Sequence, residues 1–251
     1  MQICKSLLES MAFLSLALGV AIVPANASAQ AAREAPPAAR YSQGAPTADG
    51  IGKVIQGREI ARVMGWQGAA WLEREERERE ERTDLLLPAL QLKPGMTVAD
   101  VGAGTGYFSW RMSLLVGPQG RVFAADVQPE MIGLLKRTMA ERGARNVLPV
   151  QSAPDDARLP AAALDLAIMV DVYHELEFPY EVMASVVRAL KPGGRLVLVE
   201  YRGEDPNVPI KAAHKMTEAQ VRAEIAGHGQ LVWRQTIAVL PWQHVIVFRK
   251  R

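Results

Sequence analysis

Cysteine is almost missing from this chain. The single one among 251 residues is Cys4, inside an N-terminal apolar segment and without a small-residue lipobox before it. The rest of the chain therefore has no thiol, which excludes disulfides, cysteine nucleophiles and thiolate metal sites. Aromatic residues are sparse, at 6%. Those near the C-terminus, Trp233, Trp242 and Phe248, lack the basic neighbours of a base-stacking platform and read as core packing of strands at the sheet edge. An excess of one charge is also missing: 29 basic and 27 acidic residues leave a net +2. That balance supplies no electrostatic footprint for nucleic acid or an anionic membrane. Long apolar runs are lacking too, since the best candidate, Met11 to Val23, is shorter than the roughly 20 residues a membrane helix needs.

What is present begins with a leader. Lys5, that apolar run, Pro24, and small residues at Ala25, Ala27 and Ala29 have the layout of an export signal over 1–29, cleaved before Gln30. This reading predicts a periplasmic or secreted protein with no stable membrane insertion after cleavage; a retained anchor and a buried N-terminal helix are the competing readings. Residues 30–52, rich in Ala, Pro, Gly, Ser and Thr, read as a flexible linker. Residues 53–251 then form one domain, and 49% hydrophobic composition is enough for a single sizeable core.

Over 53–90 the pattern is helical and predicts a helical lid. Glu73/Arg77, Glu75/Arg79 and Glu78/Arg82 stand four apart with the acid first, the orientation that supports a solvated helix face. Trp66 and Trp71, beside Gly65 and Gly68, are more than a solvated helix requires and suggest a cover over a ligand.

From Leu92 onward strand-like runs alternate with helical patterns, which predicts βαβ units and a doubly wound α/β fold. Strands are expected over 97–101, 120–125, 146–151, 164–170 and 195–200, with helices over 107–115, 129–142 and 179–190. Leu164 to Val170 is apolar almost throughout, as a central parallel strand is. A helix over 217–228, with Thr217 or a neighbour as its cap, and a closing strand pair over 231–240 and 244–250 complete the chain. One strand of that hairpin must run against the parallel sheet.

The most specific local signal is Asp100-Val101-Gly102-Ala103-Gly104-Thr105-Gly106, a strand running into a glycine loop that opens a helix. Glycines let the backbone turn sharply and approach a ligand, and a helix N-terminus offers unpaired N–H groups. A dinucleotide fingerprint would place its third glycine at Tyr107, three residues after Gly104; here it comes at Gly106. The shorter loop, with the Lys191 to Gly194 turn, counts against a nicotinamide-dependent reductase. Asp126 ends the second strand about twenty residues beyond the loop, where a carboxylate can accept both ribose hydroxyls; capping the helix that starts at Pro129 is the alternative.

These segments, with Asp126-Val127-Gln128-Pro129-Glu130-Met131 and Leu190-Lys191-Pro192-Gly193-Gly194 in the same order, resemble the motifs of class I S-adenosylmethionine-dependent methyltransferases. The resemblance covers roughly 54–249. It implies a Rossmann-like seven-stranded sheet, mostly parallel with an antiparallel last strand, S-adenosyl-L-methionine as cofactor, and the acceptor above the fourth and fifth strands. It further implies that Gly102, Ala103, Gly104, Thr105 and Gly106 meet the methionine part of the cofactor, with Asp100 orienting the loop. Asp126 and Val127 would meet the ribose, Asp156 or its neighbour Asp155 the adenine, and Asp171 the cofactor from the end of the fourth strand.

The acceptor side is expected at Tyr173, His174 and Glu175 after the fourth strand and at Tyr201, Arg202 and Glu204 after the fifth, because ligands sit where parallel strands end. His174 offers a base that ionises near neutrality and Glu175 a carboxylate that can bind a cation or orient the ring; a helix cap or backbone bond is the bland alternative for His174. The segment 211–216, with His214, folds back over this mouth or is an ordinary surface connection. His228 and His244 read as structural, and no metal site is read from the sequence. The expected function is methyl transfer to a small-molecule acceptor. An exported chain would sit where this cofactor is not made, so a non-catalytic S-adenosylmethionine or nucleoside-binding protein is the second reading, and a cytoplasmic location the alternative to export.

Overall fold

The computed structural model describes residues 40–251; the export-signal segment 1–29 and the first part of the linker, 30–39, lie outside the described residues. The main sheet has the order β10-β11-β8-β7-β4-β5-β6, built from β4 (Thr97–Val101), β5 (Arg121–Asp126), β6 (Val147–Gln151), β7 (Leu164–Val170), β8 (Leu190–Arg202), β10 (Leu231–Ile237) and β11 (Gln243–Lys250). β4 to β8 pair in parallel, and β11 runs antiparallel between β8 and β10. A two-residue strand, β9 (Lys215–Met216), is added beside β8.

Period-two alternation divides the sheet into two buried faces. Val98, Leu166, Ile168, Val197 and Val199 pack on one side with Phe108 and Met112 of α4 (Tyr107–Val116) and Leu135 of α5 (Pro129–Glu141). Ala99, Ala167, Met169, Leu196 and Leu198 pack on the other with Val182, Met183 and Val186 of α6 (Pro179–Ala189) and Val221 and Ile225 of α7 (Glu218–Ala226). Thr217 caps α7, its hydroxyl accepting the Gln220 N–H at 3.1 Å. β8 begins earlier than the sequence pattern suggests, because Leu190 already pairs with Leu164; the next pair joins Leu166 to Arg195, so Lys191 to Gly194 bulge out as the turn their composition predicts.

The N-terminal region departs from the expectation. Residues 40–52 are not linker throughout and 53–65 are not helical: β1 (Tyr41–Gln43), β2 (Gly50–Ile55) and β3 (Arg58–Ala61) form a three-stranded antiparallel sheet. Gln56 and Gly57, at φ of 46° and 84°, make the two-residue turn that a right-twisted hairpin favours. Tertiary partners hold these short strands in place. Arg58 forms a buried ion pair with Glu224 at 2.7 Å, and the Tyr41 hydroxyl donates to Glu181 at 2.6 Å.

Helix resumes in pieces, α1 (Ala69–Leu72), α2 (Arg77–Glu81) and α3 (Thr83–Ala89), broken at Arg82 with a φ of 52°. The acid-first pairs are replaced: Glu81 holds Arg74 at 2.7 Å and Arg77 at 3.0 Å, and Glu73 holds Arg142 at 2.9 Å. Arg77 and Glu81 are buried, so this stretch is not a solvated face. Trp233, expected in the core, stands at the surface beneath the Arg222 guanidinium, while Phe248 is buried. Among the described residues no helix is long and apolar enough to cross a membrane.

Candidate active site

The strand order reverses between β4 and β7, and ligands bind in the crevice that such a reversal opens at the carboxyl ends of the strands. A cavity of about 540 Å³ lies there. Its floor is Asp100 to Gly104 after β4, Asp126 to Gln128 after β5, Val170 to Val172 after β7 and Tyr201 near the end of β8.

Each glycine of the loop has its own reason. Gly102 has a φ of +76°, and a Cβ there would come 2.5 Å from Val172; Gly104 has a φ of +54°, with a Cβ 2.6 Å from Leu72. The backbone is thereby pressed against the cavity wall. Gly106, by contrast, is off the wall: a Cβ there would strike Leu135 and Met139 of α5, so its smallness serves helix packing. Thr105 is also off the wall, its hydroxyl donating to Glu73 at 2.6 Å. Of the five loop residues expected to meet one ligand, Gly102, Ala103 and Gly104 line the cavity.

The acids divide the same way. Asp126 accepts the Gly104 N–H and the Gln128 N–H, each at 2.9 Å, so it ties the loop to the start of α5 while lining the cavity. Burial raises its pKa against those two N–H donors. Asp100 accepts the Ser109 hydroxyl at 2.6 Å, and burial pushes its pKa up to about 6. Asp171 takes a left-handed φ of 54° and accepts Gln243 at 3.3 Å through Oδ2; its buried Oδ1 has no hydrogen-bond partner. Burial, reinforced by the charges of Glu81 and Glu200, holds the Asp171 carboxyl well above the usual range.

Asp155 and Asp156 do not reach the wall. Asp155 is exposed, and Asp156 accepts the Arg158 N–H at 2.7 Å and pairs with Arg188 at 3.0 Å, the behaviour of a turn former. Ser152, Ala153, Pro154 and Ala157 line the cavity in their place.

On the acceptor side His174, Glu175 and Tyr201 line the cavity and Tyr173, Arg202 and Glu204 do not. Tyr173 is core, 1% exposed, and its ring lies by Arg58. Arg202 donates to the carbonyls of Leu240, Pro241 and Gln243, clamping the β10–β11 connection. Glu204 accepts the Glu218 N–H at 2.7 Å, at the first turn of α7. These three end strands or begin loops as expected, but their side chains leave on the wrong side.

His174 is 1% exposed. Its Nδ1 lies 2.5 Å from Oε2 of Glu200, and its Nε2 lies 3.1 Å from Nδ1 of His214. Glu200 is fully buried, and its other oxygen accepts the Tyr173 N–H at 2.9 Å. Glu175 Oε1 lies 3.2 Å from His214 Nδ1, while Oε2 accepts the Met64 N–H at 3.2 Å. Burial, with the charges of Asp171 and Glu81, pushes the Tyr201 phenol up, so it stays protonated and can donate.

Glu200 belongs to the polar run expected on the acceptor side after the fifth strand, but its pairing with His174 was not legible from the sequence. The cover expected from 53–90 is supplied by other residues than the two tryptophans alone: Arg62, Val63 and Met64 after β3, Leu72, Arg74, Arg77 and Glu81 all line the cavity. Trp71, expected over a ligand, is on the wall; Trp66 is not. Ile210, Lys211 and His214 line the cavity, so the 211–216 segment packs at this site and is more than an ordinary surface connection.

Comparison with known proteins gives concordant results. Residues 92–243 match the model of a family described as a methyltransferase domain. Curated relatives include the ubiquinone/menaquinone biosynthesis C-methyltransferase UbiE of Ectopseudomonas mendocina, 30% identical over 122 residues that make up 48% of this chain and 47% of that protein. The protein of the same name from Pseudomonas putida is 32% identical over 111 residues, 44% of this chain and 43% of the relative. The chain spans about half the length of the curated relatives it matches. A crystal structure of a SAM-dependent methyltransferase from Aquifex aeolicus has a TM-score of 0.71 at 24% identity, covering 75% of this chain and all of that one.

Proposed function

Since the chain belongs to the class I S-adenosylmethionine-dependent methyltransferases, we propose that it methylates a compact acceptor carrying an ionisable hydroxyl on a ring. One observation carries this reading: a single cavity joins the glycine loop and Asp126 to the His174, Glu175, His214 and Tyr201 cluster. The residues proposed for donor and acceptor thereby border one cavity.

The residues fit the cofactor. Gly102 and Gly104 bring bare backbone to the wall, Asp126 supplies a buried carboxylate for ribose hydroxyls, and the unpartnered Asp171 Oδ1 suits a cationic ammonium group. A cation beside that oxygen would offset the desolvation that raises its pKa. Ser152, Ala153 and Pro154, which line the cavity, would lie beside the adenine in place of Asp155 or Asp156. Bound S-adenosylmethionine supplies a methyl group on a sulfonium centre and departs as the thioether S-adenosylhomocysteine.

Trp71, Met64, Phe108 and Ile210 give the wall apolar surface for a ring. The acceptor hydroxyl would give up its proton at the His174, Glu175 and His214 cluster, with Glu200 fixing the His174 ring and the Tyr201 hydroxyl donating to the developing oxyanion. A phenolate so formed would be nucleophilic at oxygen and at the ortho ring carbon; the methyl carbon–sulfur bond breaks as the new bond forms. Methylation at carbon would further require the ring proton to pass to the same cluster to restore aromaticity. Positioning and exclusion of water supply much of the acceleration, on the order of 7–11 kcal/mol for well-oriented reactants. The curated relatives named for C-methylation in quinone biosynthesis make quinols the first acceptors to try.

The test is production of S-adenosylhomocysteine with catechol, hydroquinone and 1,4-naphthohydroquinone, in wild type, Tyr201→Phe and His214→Ala. The expected result is turnover with at least one hydroxylated ring, strongly reduced in both variants at unchanged cofactor affinity. A wild type that binds cofactor and methylates none of the three, or variants as active as wild type, would overturn the hydroxylated-ring reading.

A further inference from the structure

His174 Nε2, His214 Nδ1 and Glu175 Oε1 converge at the mouth of the cavity, separated by 3.1, 3.2 and 3.8 Å. Hydrogen bonding alone serves them poorly. Glu200 is acceptor-only when ionised, so the His174 Nδ1–H points at it and a neutral His174 presents a bare lone pair at Nε2. His214 can then offer one Nδ1–H, for which His174 Nε2 and Glu175 Oε1 compete. Three electron-rich atoms thus share a single proton.

A divalent cation satisfies all three. Ligand bonds of about 2.0–2.2 Å in tetrahedral or octahedral geometry set neighbouring donor atoms about 2.8–3.6 Å apart. Two of the separations fall in that range, and the third exceeds it by about 0.2 Å, within reach of a small side-chain rotation. The supports are also those of a metal site. His174 is held through its remote nitrogen by a fully buried carboxylate, and Glu175 is aimed by the Met64 N–H on its other oxygen. All three residues line the cavity, so an ion held by them would border the space where an acceptor would lie.

We propose that His174, Glu175 and His214 bind a divalent first-row transition cation, zinc or iron(II), with open positions that take the acceptor oxygen. Two imidazoles and one carboxylate select such ions over magnesium or calcium, which prefer all-oxygen sets. With the cation bound these three groups are ligands and no longer the proton acceptor. The cation would instead lower the hydroxyl pKa directly, as metal-bound water is acidified, and the proton would leave to solvent. That catalytic role rests on the methyl-transfer reading; the binding itself does not. Adjacent residues 174 and 175 joined to a third ligand forty positions later make no local motif, which is why the sequence alone did not disclose the site.

The experiment is a cobalt(II) titration of the chelator-stripped full chain, followed by visible absorption, with displacement by zinc. One equivalent should bind with the ligand-field bands of a nitrogen- and oxygen-ligated ion, and be displaced by zinc. His214→Ala and Glu175→Gln, both at partly exposed positions and so expected to fold, should weaken binding by more than the roughly 10–100-fold that loss of an outer-shell partner costs, while keeping the circular dichroism of wild type. Absence of cobalt binding in a folded wild type, or full affinity in His214→Ala, would overturn the site. Calorimetry with S-adenosylmethionine on the same samples separates the two ideas: cofactor binding without cobalt binding sinks the metal site alone, and cobalt binding without cofactor binding sinks the methyl-transfer reading alone.

Discussion

His174 Nδ1 stands 2.5 Å from Oε2 of Glu200, and this buried pair joins the turn after β7 to the end of β8. The carboxylate fixes the ring so that its other nitrogen faces His214 and the cavity. Glu200→Gln keeps the shape but weakens the acceptor. Turnover should fall by roughly 10–100-fold with cofactor affinity unchanged. Steady-state kinetics beside calorimetry checks this, and undiminished turnover would speak against the positioning role.

Asp100 gives a pH signature. Its native pKa, pushed by burial from 3.8 to about 6, lies above the unfolded value, so the native state holds the proton more tightly. The contribution favouring the fold is complete below about pH 4 and is lost as pH rises through 6. Asp100→Asn is neutral at every pH and keeps an acceptor for Ser109. Its stability relative to wild type should rise between pH 4.5 and 7.5, by on the order of 2 kcal/mol. Urea unfolding at the two pH values measures this; an equal difference at both would contradict it.

The loop glycines should respond differently. Gly106→Ala meets Leu135 and Met139 at a φ of +91°, and should cost about 1–3 kcal/mol of stability while the folded fraction keeps its cofactor affinity. Gly102→Ala changes the cavity wall itself and should weaken cofactor binding. Unfolding curves and calorimetry on both variants distinguish the roles, and the reverse pattern would refute them.

The N-terminal sheet should be integral to the fold. Arg58 pairs with Glu224, whose side chain is wholly inaccessible, and also donates to the His174 carbonyl at 3.1 Å. Arg58→Ala leaves that buried carboxylate uncompensated and should destabilise by about 3–5 kcal/mol; Arg58→Met with Glu224→Leu should recover much of the loss. Thermal unfolding of the two variants tests this, and a mild single-variant effect would mean the sheet docks weakly.

These sites also show where sequence reading succeeds and stops. Strands β4 to β8 are legible because a sheet buried on both faces demands nearly continuous apolar runs, such as Leu164 to Val170, and because glycine and proline punctuate them. The ends of those strands are located well, but the side on which each end residue leaves depends on the turn that follows. Glu200 and Tyr201 are neighbours, yet Glu200 reaches His174 while Tyr201 lines the cavity and Arg202 grips carbonyls across the sheet. The β1–β3 sheet was illegible for another reason. Its strands are short, its turn is Gln-Gly in place of Asn-Gly, and its stabilising partners, Glu181 and Glu224, lie far along the chain.

The most direct test of the central claim is isothermal calorimetry of the purified chain with S-adenosylmethionine and S-adenosylhomocysteine, with Asp126→Ala alongside. The account predicts binding of both ligands at micromolar levels, lost in the variant because Asp126 supplies the buried carboxylate and ties the glycine loop to α5. A folded wild-type chain that binds neither ligand would contradict it.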